Sequence, residues 1–422
     1  MLAVVGAVVV FAQLIDTHQF VGPGDDRRQH YSGYSVFRMV PTDEEELSVL
    51  KSMANRDEYQ ETRLDVMCPG KGGFVSTCSI AHRIPRAIVM YDIERYIAKE
   101  RLEMEMPSFL SFRGSDPFFS GYKQLEEIYK FVDQLAERHP NITSVFSIGE
   151  SAEGRQLKVI KIGSKSTSVV AKPAIWIDGG IHAREWISPA TVAYIAHSLA
   201  SEYDASDDTR QLVDHFDWYV LPVLNPDGYV YSHSVNRMWR KSRKGPLIFC
   251  RGVDLNRNFG FHWREGGSSA RPCSDIYAGF QPFSEPESKA VSDFILQRKE
   301  VFSAYLAVHS YSQLWLTPWG WTSALPPHYD DMIKVAKEAV KALSEVHGTK
   351  YRVGSSTNLL YVATGGADDW AHGVAGIKYS YTLELRDTGK HGFLLPAEQI
   401  LPTGEETWAG VKAMAKAIKR DT

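Results

Sequence analysis

The sequence predicts an α/β protein in which a mixed central sheet, flanked by helices, follows a small α/β unit of open-sandwich type. Two observations lead to this prediction. Short apolar runs of strand length alternate with longer helical patterns along most of the chain. At 422 residues the chain also exceeds the length that one hydrophobic core normally serves, and the periodicity is lost over residues 103–116. We therefore expect two folding units joined by a linker in that stretch.

The chain begins with an apolar segment at residues 2–12, which is too short to cross a bilayer. Its length and the small residue Ala12 favour a secretory signal peptide, which we place at residues 1–16, although a basic start is absent. The alternative is a buried strand of the first unit. The segment therefore predicts a secreted, extracellular protein, with a digestive lumen as one location.

Residues 31–112 form the expected small unit, with strands near 34–40 and 87–91 and helices that begin at Thr42 and Asp92. The linker that follows contains Arg113, after which a trypsin-like protease would cleave. An ordinary surface loop is the alternative. Together these features favour a propeptide with its linker at residues 17–113 and a main domain at residues 114–422.

The main domain is expected to fold around a largely buried sheet, because its strand-like runs are almost wholly apolar. Strands are predicted at residues 157–162, 174–178, 218–224, 304–308 and 379–383, and helices at residues 121–139, 189–203, 286–298, 330–346 and 405–420.

Charge and cysteine content narrow the function classes. The net charge of −4 provides no basic surface for nucleic acid or anionic membranes. The four cysteines fall into two local pairs, Cys68 with Cys78 and Cys250 with Cys273, and neither has the C-x-x-C spacing of a zinc site. They predict two disulfides in an oxidising compartment. Asn141 lies in an N-x-T acceptor motif for glycosylation.

Candidate metal ligands follow two of the predicted strands. His182 and Glu185 come just after a Gly-Gly turn at the end of one strand, and His309 ends another. Two histidines and a carboxylate leave a fourth zinc position open, which is typical of a catalytic site. The alternatives are surface residues and a histidine satisfied at a strand end. Glu384 lies within an apolar strand and must have either a partner, such as an arginine, or a function.

Five motifs in order extend this pattern. They are His182-Ala-Arg-Glu-Trp, Arg237-Met-Trp-Arg240, Gly252-Val-Asp-Leu-Asn-Arg-Asn258, His309-Ser-Tyr-Ser-Gln313 and Glu384-Leu-Arg-Asp-Thr-Gly-Lys-His-Gly-Phe393. In these motifs the chain resembles the zinc metallocarboxypeptidases of the digestive A/B subfamily, which are made as procarboxypeptidases. Residues 116–422 resemble the carboxypeptidase domain, and residues 31–112 resemble the propeptide.

The resemblance implies a role for each matching residue and one Zn²⁺ per chain. His182, Glu185 and His309 would hold the zinc, and Asp254 would orient the first histidine. Glu384 would be the general base and proton shuttle, and Arg240 would stabilise the oxyanion. The substrate would be bound by Asn256, Arg257, Tyr361, Asp368, Arg184, Tyr311, Phe393 and Ser310.

Specificity is predicted from Asp368, which stands where B-type enzymes carry an aspartate at the bottom of the pocket and A-type enzymes an apolar residue. We therefore expect the enzyme to remove C-terminal Lys or Arg from peptides and proteins with free C-termini. It would be activated by a trypsin-like protease and would act as a monomer. An A-type preference for apolar or aromatic ends is one alternative, and an inactive zinc-binding homologue is another. Residues 372–376 are about one residue longer than the family's vertebrate pattern, which affects the pocket.

Overall fold

The protein is described here from a computed structural model, which covers residues 8–13, 28–31, 34–39, 86–90, 92–105, 116–165, 171–245 and 250–421. Three predicted features lie outside these residues: the helix that begins at Thr42, the cysteine pair Cys68 and Cys78, and the cleavage point at Arg113.

The N-terminal unit contains a three-stranded antiparallel sheet in the order β1-β2-β3, formed by Val8–Gln13, Tyr34–Met39 and Arg86–Met90. Most of β1 lies within the apolar segment that the sequence analysis interprets as a signal peptide, and its pairing with β2 corresponds to the stated alternative, a strand of the first unit. Helix α1, Ile93–Glu105, follows β3 and buries one face through residues such as Ile97.

The main domain is built on an eight-stranded mixed sheet in the order β10-β9-β11-β8-β6-β7-β5-β4. The central strands β7, β6, β8 and β11 run parallel, and β5 and β9 are antiparallel to their neighbours β7 and β11. The strands are β4 Thr143–Glu150, β5 Gln156–Ile162, β6 Ala174–Gly179, β7 Asp217–Leu221, β8 Phe302–Ser310, β9 Leu314–Thr317, β10 Arg352–Ser355 and β11 Tyr379–Leu385.

Helices cover both faces of this sheet and enclose two hydrophobic clusters. On one face lie α2 Leu125–Arg138, α3 Ile187–Ser201, α4 Asp207–His215, α7 Tyr329–His347 and α10 Ile400–Asp421. On the other lie α6 Pro286–Leu296 and α9 Ala367–Gly373. The remaining helices are α5 Pro226–Ser234 and the single turn α8 Ser356–Leu359. Among the described helices, none has the length and apolar character needed to span a membrane.

The predicted α/β class, the mixed sheet and all five predicted strands of the main domain are confirmed. The strand predicted to continue to residue 224 ends at Leu221, because Pro222 follows and cannot donate to the ladder. The first predicted helix of the domain begins at Leu125 rather than at residue 121. Gln124 and Glu127 form a capping box that sets this start. β4 was missed because its side chains are mostly part-exposed, and β9 and β10 because each has only four residues.

Candidate active site

The turn after β6 brings the two halves of the candidate zinc site together. Gly180 has a φ of +63°, a conformation that glycine adopts without strain. Its N–H donates to Ser188 Oγ at 2.9 Å, and that hydroxyl donates to Val308 O at 2.5 Å. Because Val308 directly precedes His309, this bridge fixes the turn carrying His182 beside the carboxyl end of β8.

The three predicted ligands converge as the sequence indicated. Glu185 Oε1 lies 2.8 Å from His182 Nδ1, and Glu185 Oε2 lies 3.1 Å from His309 Nδ1. The two histidine Nδ1 atoms are 3.1 Å apart, and all three side chains are buried. Tetrahedral zinc with bonds of about 2.0–2.1 Å separates its ligand atoms by roughly 3.3 Å, so this set fits the ion. Two imidazole nitrogens facing each other also need a proton or a cation between them.

The electrostatics of the ligands follow from their mutual contacts. Burial alone would raise the pKa of Glu185, but the two histidines lower it below its usual range. Burial lowers the pKa of His182 and keeps this ring neutral, as metal binding requires. For His309 the burial effect is opposed by the Glu185 carboxylate, which raises the pKa to about 9.

Asp254 links the metal ligand His182 to Arg240, the residue expected to stabilise the oxyanion. Its Oδ1 lies 3.1 Å from His182 Nε2, and its Oδ2 accepts from Arg240 Nε at 3.0 Å and Nη2 at 2.8 Å. Burial would raise the pKa of Asp254, but Arg240 and His182 hold it well below its usual range. One fully buried carboxylate therefore orients both a metal-binding imidazole and a guanidinium.

Asn256 and Arg257 follow on the same segment. The Asn256 N–H donates to Asp254 Oδ1 at 3.0 Å, and its side-chain oxygen accepts from the Ala367 N–H at 2.9 Å. Arg257 donates through Nε to Gly267 O at 3.1 Å and through Nη1 to the Asn256 carbonyl at 2.9 Å. Both side chains are thereby held in place at the cleft.

The predicted disulfide between Cys250 and Cys273 is present. Its ends are separated by 23 residues, and the loop between them carries Asp254, Asn256 and Arg257. The crosslink therefore restrains the part of the chain that supplies these groups.

Glu384 lies opposite His309 in the parallel pairing of β11 with β8. Its side chain is half-buried. Burial raises the pKa of Glu384 to about 8, although the neighbouring His309 acts in the opposite direction. No arginine forms an ion pair with Glu384 among the described residues, so the alternative interpretation of a structural ion pair has no support there.

Asp368 occupies the first turn of α9 and is only 7% exposed. The Thr382 side chain hydrogen-bonds to it, and its carbonyl accepts from Ser380 Oγ at 2.8 Å. Burial raises the pKa of Asp368. The Asp368 carboxyl group is thus held against β11 at Thr382, which lies two residues before Glu384 on that strand.

The remaining predicted substrate residues form an aromatic and cationic wall. The Arg184 guanidinium lies 4.4 Å from the Phe393 ring centre, and Tyr311 meets the same ring edge-on at 5.0 Å. The Ser310 N–H donates to Glu185 Oε2 at 3.1 Å, which places this residue beside the metal ligands. Tyr361 is 53% exposed on a loop.

The other predicted sites lie apart from this cleft or outside the described residues. Asn141 is exposed in the turn before β4. Arg113, Cys68 and Cys78 are outside the described residues, so the cleavage point and the second disulfide stay predictions.

Sequence reasoning assigned no role to three buried groups near the cleft. They are Arg237, which contacts Glu100 of the N-terminal unit, Asp369 and Asp178. Asp369 accepts from the Gly320 N–H at 2.9 Å and the Trp321 N–H at 3.0 Å. Asp178 lies in an apolar strand, which is the same signal that identified Glu384.

Comparison with known proteins agrees with this geometry. The family profile described as zinc carboxypeptidase matches residues 128–410. Carboxypeptidase B of Astacus astacus is 50% identical over 303 residues, which cover 71% of this chain and 98% of that protein. Carboxypeptidase A2 of Mus musculus is 39% identical over 410 residues, covering 93% of this chain and 95% of that protein.

A crystal structure of thrombin activatable fibrinolysis inhibitor matches with a TM-score of 0.79 and 35% identity, covering 92% of this chain and 99% of that one. The match includes the mixed sheet that carries the convergent histidines and glutamate. The chain therefore belongs to the zinc carboxypeptidase family and is a zinc-dependent metallocarboxypeptidase of the A/B type.

Proposed function

We propose that this chain is the secreted zymogen of a carboxypeptidase that removes Lys or Arg from peptide C-termini. The observation that carries the proposal is Asp368, a buried carboxylate that forms no ion pair among the described residues. A buried negative charge is costly unless a cation enters to pair with it. A C-terminal Lys or Arg side chain supplies that cation, whereas an aromatic side chain does not.

The metal would be held by His182, Glu185 and His309. When bound there, zinc polarises the scissile carbonyl and makes water more acidic. Glu384 takes the proton of the attacking water and delivers it to the leaving amine nitrogen. Burial raises the pKa of Glu384 above its usual range, which helps this carboxylate to hold the proton that it takes until the amine leaves. Arg240, fixed by two hydrogen bonds to Asp254, stabilises the negative charge that develops on the carbonyl oxygen.

The free C-terminus of the substrate would be bound by Asn256 and Arg257. Arg257 uses Nε and Nη1 on carbonyl oxygens and makes no further hydrogen bond through Nη2 within the described residues. That guanidinium has no carboxylate partner there either, so it is available to a terminal carboxylate. Tyr361 closes over the substrate from its exposed loop. Arg184, Ser310, Tyr311 and Phe393 contact the preceding residue of the peptide.

Contacts between the N-terminal unit and the main domain support the zymogen. Glu100 of α1 accepts from Arg237 Nε at 2.6 Å and Nη2 at 3.0 Å. Met90 and Ile93 line one small cavity together with Tyr311 and Phe393. An apolar cluster of Tyr31, Met90, Ile93, Ile97, Met238 and Leu394 continues this contact. The unit therefore covers residues that a peptide would need, and cleavage after Arg113 by a trypsin-like protease would release it.

Secretion is supported by the Cys250–Cys273 disulfide, which is typical of oxidising compartments. The apolar residues 2–12 would be the signal peptide by their composition, whereas the pairing of Val8–Gln13 with β2 corresponds to the alternative, a strand of the first unit. Exposed Asn141 is available for glycosylation in that route. The second pair, Cys68 and Cys78, would form a disulfide within residues 17–113. We propose that the mature enzyme is a monomer comprising residues 114–422.

The test compares hydrolysis of peptides ending in Arg, Lys or Phe by the trypsin-treated chain and by its Asp368→Ile variant. The wild type should prefer Arg and Lys, and the variant should lose about 10- to 100-fold in kcat/KM on them. Activity on Phe should hold or rise, because an apolar floor favours apolar side chains. A wild type that prefers Phe would instead support an A-type enzyme, which the relation to carboxypeptidase A2 keeps as the second candidate.

A further inference from the structure

One buried carboxylate in the sheet is not used by the proposed mechanism. Asp178 lies at the carboxyl end of β6 and has no exposed surface. Its Oδ2 accepts from Trp176 Nε1 and from the Tyr305 hydroxyl, both at 2.7 Å. Its Oδ1 is buried without a hydrogen-bond partner among the described residues. A half-paired buried carboxylate lowers stability, so its presence needs a functional reason.

The strand register shows where this carboxylate lies relative to the pocket. Asp178 is opposite Ala307 of β8, and Ala307 is opposite Thr382 of β11. Residues directly opposite one another point to the same face of a sheet. Thr382 in turn hydrogen-bonds to Asp368, so the row from Asp178 leads to the predicted pocket aspartate. Two strand spacings, roughly 10 Å, separate the ends of the row.

The residue between them does little to screen the charge. Ala307 offers only a methyl group between Asp178 and Thr382. Asp178 and Asp368 interact electrostatically and neither forms an ion pair among the described residues, although His309 is near enough to act on both with the opposite sign. Burial raises the pKa of Asp178 to about 6, so it carries a negative charge at neutral pH. The floor of the pocket therefore holds more negative charge than Asp368 alone provides.

We propose that Asp178 is a second specificity-determining residue, whose charge acts across Ala307 to favour a cationic C-terminal side chain. The inference rests on the proposed Lys/Arg specificity and adds a residue to it. Asp178 need not touch the substrate, because a charge in a low-dielectric interior acts over several ångströms. A planar guanidinium or an ammonium next to Asp368 would be attracted by the carboxylates of both Asp368 and Asp178.

The test is Asp178→Asn, which removes the charge at nearly constant shape. The Asn side-chain oxygen still accepts from Trp176 and Tyr305, and its amide replaces the unpaired oxygen. We expect kcat/KM on C-terminal Arg and Lys to fall by about 10-fold, with activity on Phe within about twofold and zinc content unchanged.

Glu287→Gln is the matched control. Glu287 is also buried, with Oε1 accepting from the Ala152 N–H at 3.0 Å and Oε2 unpartnered among the described residues. It lies on α6, which packs on the edge strand β4, five strands along the sheet from β11. Replacing this carboxylate, which is only partly ionised near pH 7, should leave the Arg-to-Phe ratio unchanged.

A second variant, Asp178→Ser, addresses the case in which Asp178→Asn does not fold. It removes the same charge and leaves a hydroxyl oxygen that can accept from Trp176 or Tyr305, so the Arg-to-Phe ratio should again fall by about 10-fold. An unchanged ratio in the variant that folds would overturn the inference, and so would an equal loss on Arg and Phe in Asp178→Asn. A wild type that prefers Phe would refute the proposed specificity instead, before any variant is compared.

Discussion

Replacing Glu100 by Gln is expected to raise the activity of the uncut chain. The Glu100 carboxylate, 8% exposed, is the acidic partner of Arg237, which is 2% exposed. Arg237 keeps other contacts when the N-terminal unit leaves. It donates to Arg184 O at 2.8 Å and Phe393 O at 2.7 Å, and its guanidinium lies 3.6 Å from the Trp186 ring centre. The variant should therefore weaken docking of the unit without disturbing the main domain.

The size of the effect follows from this geometry. Breaking a buried ion pair costs about 3–5 kcal/mol when one charge is left unpaired. Gln retains one acceptor, and Arg237 retains two carbonyl partners, so we expect about 2–3 kcal/mol here. Since 1.4 kcal/mol is a factor of ten, the undocked fraction should rise by about 30- to 150-fold. If that fraction sets the residual activity, turnover by the uncut chain rises by the same factor.

The assay measures hydrolysis of a small C-terminal Arg peptide by the uncut chain, with Arg113→Gln in both proteins to prevent cleavage. Glu103→Gln is the control on the same helix. Glu103 pairs with Lys99 at 3.3 Å near the surface, where an ion pair contributes at most about 1 kcal/mol. Its effect should stay below about fivefold. If Glu100→Gln stays within about threefold of its parent while the cleaved wild type is fully active, the ion pair does not hold the unit in place.

The remaining predictions concern the metal, the base and a buried acid. Chelation should abolish hydrolysis and added zinc restore it, and activity that resists chelation would exclude the proposed metal chemistry. Glu384→Gln should retain zinc but lower kcat by at least about 100-fold, and unchanged turnover would mean that another group is the base. Burial raises the pKa of Glu287 from 4.5 to about 7, so the folded chain keeps a proton that the unfolded chain releases between these values. Raising the pH through that window should lower the free energy of unfolding by on the order of 2–3 kcal/mol. Denaturant titrations of Glu287→Gln should show that this pH dependence of stability is lost. An unchanged pH dependence in the variant would mean that another group causes it.

The fold class and the ligand set could be predicted from the sequence because both depend on local patterns. Apolar strands mark the sheet, and parallel strands bring their carboxyl ends to one edge, where His182 and His309 stand. The partner of Arg237 could not be predicted in this way. Glu100 lies 137 positions away in sequence, and nothing local distinguishes it from the other acids of α1.

Asp178 was missed for a different reason. Its position in an apolar strand was visible, but its relation to the pocket depends on pairing with two further strands. Such cross-strand rows form only when the sheet order is known, because β6, β8 and β11 are far apart in sequence. The spacing of motifs therefore identifies ligands within a segment better than it identifies charges that act across the sheet.

The paired and unpaired charges at the cleft would recognise the C-terminal residue of a peptide in two ways, through its carboxylate and through its side chain. Asp254 already has a cationic partner in Arg240, so this pair is neutral before substrate enters. Among the described residues, Asp368, Asp178 and Arg257 form no ion pair, although His309 acts on the two carboxylates from nearby. A C-terminal Lys or Arg carries both missing charges on a single residue. In the proposed mode of binding, its carboxylate would pair with Arg257 and its side chain with Asp368 and Asp178, so an internal residue or a neutral side chain would leave one buried charge unpaired.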